Sequence, residues 1–224
     1  MNATATATLE PKVLSRQTSA LLVVDPASMQ AEALRGLRTR VIAQHVREGR
    51  RALAVCTASE HSGCTFIATN LAIAMAQIGV KTVLVDADLR TGSIGEVFDC
   101  PPDRPGLGKF LSDEKVRFGD IVESDVIPDL SIIPAGPPSE NAQELLSSAR
   151  FAAFVAQLLR EYDLAIFDTT PANTCTDAQR VATVVGYSLI VARKSETYFN
   201  DVKALSQLLR ADKSAVIGTV LNDY

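Results

Sequence analysis

Tryptophan is absent from this chain, and aromatic residues make up only 5% of it. So few rings leave little material for the stacking platforms that hold single-stranded nucleic acid. A basic excess is missing too. The 22 Lys and Arg against 26 Asp and Glu give a net charge of −4, which is no electrostatic footprint for nucleic acid. No apolar run approaches the roughly 20 residues that cross a bilayer. The N-terminus lacks the basic start and apolar block of a secretory leader. A cytoplasmic protein without direct membrane insertion is expected. The four cysteines, Cys56, Cys64, Cys100 and Cys175, match neither a metal-binding spacing nor a dense disulfide framework, so reduced thiols are expected. The two histidines, His45 and His61, offer no Ser–His–Asp arrangement.

What is present fits one α/β domain. The chain has 224 residues, 47% of them apolar, enough for a sizeable core. Residues 1–19, rich in Ala and Thr, are expected to be a disordered tail, and residues 20–224 a single domain. Ala20 to Val24 is expected as a short strand. Ser28 is placed to cap a helix running to about Arg47. Strands are expected at Ala52–Cys56, Lys81–Val85, Leu130–Pro134, Leu164–Phe167, Ser188–Ala192 and Ala215–Leu221. Helical spacing separates most of them. This alternation predicts a mostly parallel sheet with helices on both faces.

The stretch from Ala52 to Ala76 organises the rest. An apolar run leads into a short polar loop, Thr57 to Gly63. A helical pattern follows, with Ile67, Leu71, Ala74 and Met75 at spacings of three and four. Strand, tight loop and helix form the layout in which backbone N–H groups at a helix N-terminus face an anion. Against the Walker A pattern G-x-x-x-x-G-K-[ST], Gly63 and the hydroxyl of Thr65 are in place. Ala58 stands where the first Gly belongs and Cys64 where the Lys belongs. At the start of a helix, the Cys64 thiol is expected to have a lowered pKa.

Further along, the buried-type run TVLV closes on Asp86-Ala87-Asp88-Leu89-Arg90, and LAIF closes on Asp168. Carboxylates at strand ends suit the carboxyl edge of an open α/β sheet, where ligands bind. Earlier, Glu32, Arg35 and Arg38 are neighbours on one helix. By spacing alone they describe a solvated amphipathic face.

These features together resemble the bacterial tyrosine kinases of polysaccharide export (BY-kinases), over about Ala31 to Asn222. EALRGLRT, Glu32 to Thr39, is similar to their subunit-contact motif. ATNLAIAMAQIGVKTVLVDADLR, Ala68 to Arg90, resembles their loop helix and second acidic motif. IIPAGPPSENAQELL, YDLAIFDTTP and IGTVLN resemble later blocks, in the right order. The resemblance implies a P-loop NTPase-like fold of the deviant Walker type, with ATP and Mg2+ as cofactors. It implies catalytic roles for Asp86 and Asp88, nucleotide contacts from Ser62, Gly63, Cys64, Thr65 and Asn222, and a metal site of Thr65, Asp86 and Asp168. It implies a homo-oligomeric ring held through Glu32, Arg35 and Arg38, docked on a separately encoded membrane polysaccharide co-polymerase.

Departures from the family pattern sharpen the choice of function. Cys64 replaces the Lys, His61 stands at a usual Gly, Asp168 is followed by Thr169-Thr170-Pro171, and of the C-terminal tyrosine cluster only Tyr224 is present. The leading expectation is a kinase-like regulator of exopolysaccharide synthesis with weak or lost phosphotransfer. The alternative is an active tyrosine autokinase that recruits a substitute cation, Arg90 being nearest in sequence. A partitioning-type ATPase ranks last, because Ser59 occupies its signature Lys position.

Overall fold

The structure is a computed structural model and describes residues 20–223. The expected tail and Tyr224 lie outside the described residues. Seven strands form one sheet: β1 (Ala52–Thr57), β2 (Thr82–Asp86), β3 (Glu123–Ile127), β4 (Leu130–Ile133), β5 (Leu164–Asp168), β6 (Tyr187–Arg193) and β7 (Ala215–Asn222). Their spatial order is β3-β4-β2-β5-β1-β6-β7. All neighbours pair in parallel except β3, which joins β4 antiparallel at one edge. Central strands read as unbroken apolar runs because both faces are covered. Along β1, Ala52, Ala54 and Cys56 enter one apolar layer, while Leu53 and Val55 enter the other.

One layer is covered by α5 (Leu107–Ser112), α7 (Ala142–Leu146), α8 (Ala149–Glu161), α9 (Asp177–Val185) and α10 (Phe199–Ala211). The other is covered by α1 (Leu21–Val24), α2 (Met29–Gln44), α3 (Cys64–Ala76) and the short α4 (Ile94–Val97). A single turn, α6 (Phe118–Ile121), precedes β3. Ser28 caps α2 as expected, its Oγ accepting from the Ala31 N–H at 3.2 Å.

Three local expectations differ. Ala20–Val24 does not join the sheet. Residues 21–24 form the helical turn α1, tied to α3 by the Leu22 N–H donating to Asn70 Oδ1 at 3.1 Å. A five-residue apolar run is too short for periodicity to separate strand from helix. The pattern of α3 suggests one apolar stripe, yet the helix is buried nearly all round, because α2 lies over its outer side. Its alanines, Ala68, Ala72, Ala74 and Ala76, let the layers approach. The antiparallel edge strand β3 went unread, since its sequence, ESDVI, is mostly polar.

This order brings the carboxyl ends of β1, β2 and β5 side by side. Asp86 and Asp168 are register partners, and Val55 pairs with Asp168.

Candidate functional site

The loop after β1 is held from three directions. Within it, Ser62 Oγ donates to the Ser59 carbonyl at 2.8 Å and Thr57 Oγ1 to the same oxygen at 3.1 Å. From β7, Asn222 Nδ2 donates to the Ser62 carbonyl at 3.1 Å. From the end of β6, Arg193 Nη1 donates to the His61 carbonyl at 3.1 Å, and in the turn after β6 Thr197 Oγ1 lies 3.4 Å from Ser59 Oγ. The backbone is left-handed at both His61 (φ 56°) and Gly63 (φ 84°). Gly63 is required twice over: its φ is positive, and an added Cβ would collide with the Asn222 side chain. The loop delivers the chain into α3, whose first N–H groups face a cavity of about 630 Å³.

Hydroxyls dominate the cavity wall. Ser59, Ser62, Thr65, Thr91, Thr169 and Thr170 line it, with Glu60, His61, Asp88 and Arg90 among its ionisable groups. The Cys64 side chain turns inward: its thiol donates to the Val55 carbonyl of β1 at 3.1 Å. Burial, then the nearby Asp168 charge, push this thiol well above its ordinary pKa. That overturns the lowered pKa expected from a helix start. Desolvation in the sheet–helix interface outweighs the dipole.

Beneath the cavity two carboxylates sit in the dry edge of the sheet. Asp86 is fully buried. Its Oδ2 accepts the Ile94 N–H at 2.9 Å and its Oδ1 the Asp88 N–H at 3.2 Å. Asp168 Oδ2 accepts Thr65 Oγ1–H at 2.6 Å, while Asp168 Oδ1 is buried without a partner. Burial pushes Asp168 up to about 6, and burial with the Asp168 charge pushes Asp86 well above the usual carboxylate range. Two buried carboxylates, one with an orphaned oxygen, beside a hydroxyl form a donor set suited to a hard cation that keeps several waters. Among the described residues no group of three or more His, Cys, Asp and Glu side chains is placed to hold a metal ion by itself.

Asp88 has a different task locally. Its Oδ1 accepts the N–H groups of Arg90 (3.0 Å) and Thr91 (2.9 Å), and its Oδ2 accepts Thr91 Oγ1–H at 2.9 Å. These bonds fix the turn after β2. The turn aims Arg90 at Asp177: Nε donates to Oδ2 at 2.6 Å and Nη2 to Oδ1 at 3.3 Å. The Asp177 side chain is only 1% exposed. Arg90 is therefore already paired, contrary to the free cation that a substitute for the Walker Lys requires. Asp177, Arg193 and Thr197 escaped the sequence reading. Asp177 reads there as an ordinary acidic helix start, and the other two carry no motif.

The structure separates the expected residues into two groups. Ser62, Gly63, Cys64, Thr65, Asp86, Asp88, Asp168 and Asn222 gather at one sheet edge. Glu32, Arg35 and Arg38 lie apart on α2. Arg35 Nη1 pairs with Glu32 at 3.1 Å and its Nη2 donates to the Pro26 carbonyl at 2.6 Å. Arg38 Nη1 donates to the Ala74 carbonyl at 3.3 Å, so this residue packs on α3 rather than standing free in solvent.

No protein-family model matches the chain. It is 32% identical over 197 residues to CapB of Staphylococcus aureus, which carries a tyrosine-protein kinase name; the match covers 88% of this chain and 86% of CapB. It is 31% identical over 209 residues to the tyrosine-protein kinase Wzc of Salmonella typhi, covering 92% of this chain but only 28% of Wzc. Among solved structures, the kinase domain of the Escherichia coli tyrosine kinase ETK superposes with a TM-score of 0.84 at 31% identity, over 90% of this chain and 78% of that domain. A sheet of this order, a phosphate-type loop opening α3, and these relatives agree: the chain has a P-loop NTPase-like fold and belongs to the bacterial tyrosine kinase family.

Proposed function

We propose that this chain is a kinase-like regulator of capsule or exopolysaccharide synthesis in which phosphotransfer is weak or lost and assembly carries the function. One observation supports this above others. At the position of the phosphate-binding Lys, Cys64 is uncharged and its thiol is bound to the Val55 carbonyl. The outer phosphates of a nucleotide thus lose their mobile counter-charge, and Glu60 adds a negative group to the same cavity. Backbone donors of Gly63, Cys64 and Thr65 remain to bind ATP weakly. Thr65, Asp86 and Asp168 are the residues that would hold Mg2+, which when bound neutralises phosphate charge. The orphaned Asp168 Oδ1 supports that fit.

Assembly is proposed through Glu32, Arg35 and Arg38 as a ring beneath a membrane co-polymerase. A head-to-tail contact of this type closes when the rotation permits, and Arg is suited to bidentate pairing with a neighbour's carboxylate. A separate membrane partner is part of the proposal, and among the described residues no helix is long and apolar enough to cross a membrane.

The donor set at Asp86 and Asp168 favours a second reading, an active tyrosine autokinase. The two separate in cells. Arg35→Ala with Arg38→Ala is expected to abolish polysaccharide output and lower the assembly's mass by light scattering. Asp86→Asn and Asp168→Asn are expected to be tolerated. If folded, assembled aspartate variants stop output instead, the autokinase reading replaces this one.

A further inference from the structure

The cavity beside the loop does contain an arginine, yet that arginine faces a carboxylate of its own chain. Arg90 lines the 630 Å³ cavity together with Gly63, Thr65 and Thr170. It also lines a second cavity of about 410 Å³ on the other side of the turn, with Asp86 and Pro134. Arg90 thus stands on the wall between the two cavities, with 39% of its side chain exposed. Its two hydrogen bonds to Asp177, with Cys175 beside it, engage the guanidinium within its own chain.

The geometry points to Asp177 as the residue that sets the affinity of this site for polyphosphate, by occupying the guanidinium of Arg90 in the cavity wall. This rests on the reading that the cavity is a weakened nucleotide site. The fork is two-pronged, at 2.6 and 3.3 Å, the arrangement in which guanidinium binds carboxylate most firmly. Asp177 is 1% exposed, so departure of Arg90 would strand a carboxylate away from water, which is strongly disfavoured. An entering phosphate must therefore compete with a buried partner instead of meeting a free cation. Asp88 reinforces the arrangement, because its bonds to the Arg90 and Thr91 N–H groups fix the turn that aims Arg90. Asp177 opens α9 directly after the segment that follows Asp168, so the pair also ties the β2 turn to the β5 turn across the cleft. In this arrangement the loss of the Lys is not compensated, although a second cation is at hand.

Replacing Asp177 removes the competitor and leaves Arg90 in the cavity wall. Calorimetric titration of the full chain with Mg-ATP is the test, on wild type, Asp177→Asn and the double variant Arg90→Gln/Asp177→Asn. Asp177→Asn is expected to bind about tenfold or more tightly than wild type, the size of one charge-assisted contact. The double variant is expected to return to the wild-type value. Equal affinity of Asp177→Asn and wild type overturns the proposal. So does a double variant as tight as Asp177→Asn, because the gain would then come from removing negative charge and not from Arg90. Should Asp177→Asn melt before it can be titrated, Asp177→Ser, which keeps a hydroxyl at the helix start, is titrated in its place under the same criteria. The wild-type affinity is judged separately. Tight wild-type binding contradicts the weakened-site reading, whereas the difference between single and double variants bears on Asp177 alone.

Discussion

The thiol of Cys64 donates to the carbonyl of Val55 at 3.1 Å, across the turn that joins β1 to α3. A Lys in this place would need to reach out along the loop toward phosphate. The shorter side chain instead closes onto the strand and becomes part of the interior.

A thiol so placed is inert. Burial raises the pKa of both Cys64 and Cys56, the latter to about 11, and only the thiolate reacts quickly. Cys100 and Cys175 are half-buried. Alkylation at neutral pH followed by peptide mass mapping is expected to modify Cys100 and Cys175 first, with Cys64 slower than a model cysteine. Labelling of Cys64 at or above the model rate contradicts the buried geometry.

Gly63→Ala is expected to destabilise the fold by about 1–3 kcal/mol, because it forces a side chain into left-handed backbone. It also drives a Cβ into Asn222. Truncating that neighbour relieves the second cost and not the first. Thermal melts should therefore place Gly63→Ala/Asn222→Ala above the sum of its single variants. Strict additivity would show that the collision is absorbed without cost.

Under the proposed function, acid and added Mg2+ are expected to act together at Asp168. Its pKa is raised to about 6 in the folded chain from an ordinary 3.8. A raised carboxyl contributes stability that is present below the unfolded pKa and lost as pH rises through the folded one. Without metal, Asp168→Asn should therefore melt higher relative to wild type at pH 7.5 than at pH 5. Mg2+ should raise the wild-type melting temperature more at pH 7.5 than at pH 5, and should do little for Asp168→Asn. An equal Mg2+ effect at both pH values would place the cation elsewhere.

Much of this was readable in the sequence, for identifiable reasons. The runs TVLV and LAIF reveal double-faced burial, and the aspartates that close them mark the sheet edge, because strand ends and motif spacing are local properties. Ser28 as a cap is local in the same way. Contacts distant in sequence stayed hidden. Nothing local distinguishes Asp177 from a solvated helix start, and its pairing with Arg90 arises only when the β2 and β5 turns meet. Cys64 misled for a related reason: its burial against the sheet, which local sequence does not reveal, outweighs the effect of the helix start on the thiol. The turn α1 was lost to a run too short to carry a period.

The central claim is that the uncharged residue 64 leaves this site a poor binder of Mg-ATP. Calorimetry on wild type and Cys64→Lys tests it most directly. A regained ammonium–phosphate contact is worth about 1.5–3 kcal/mol. The substituted chain should bind about ten- to a hundredfold more tightly than wild type. Equal, tight binding by both chains would contradict the claim.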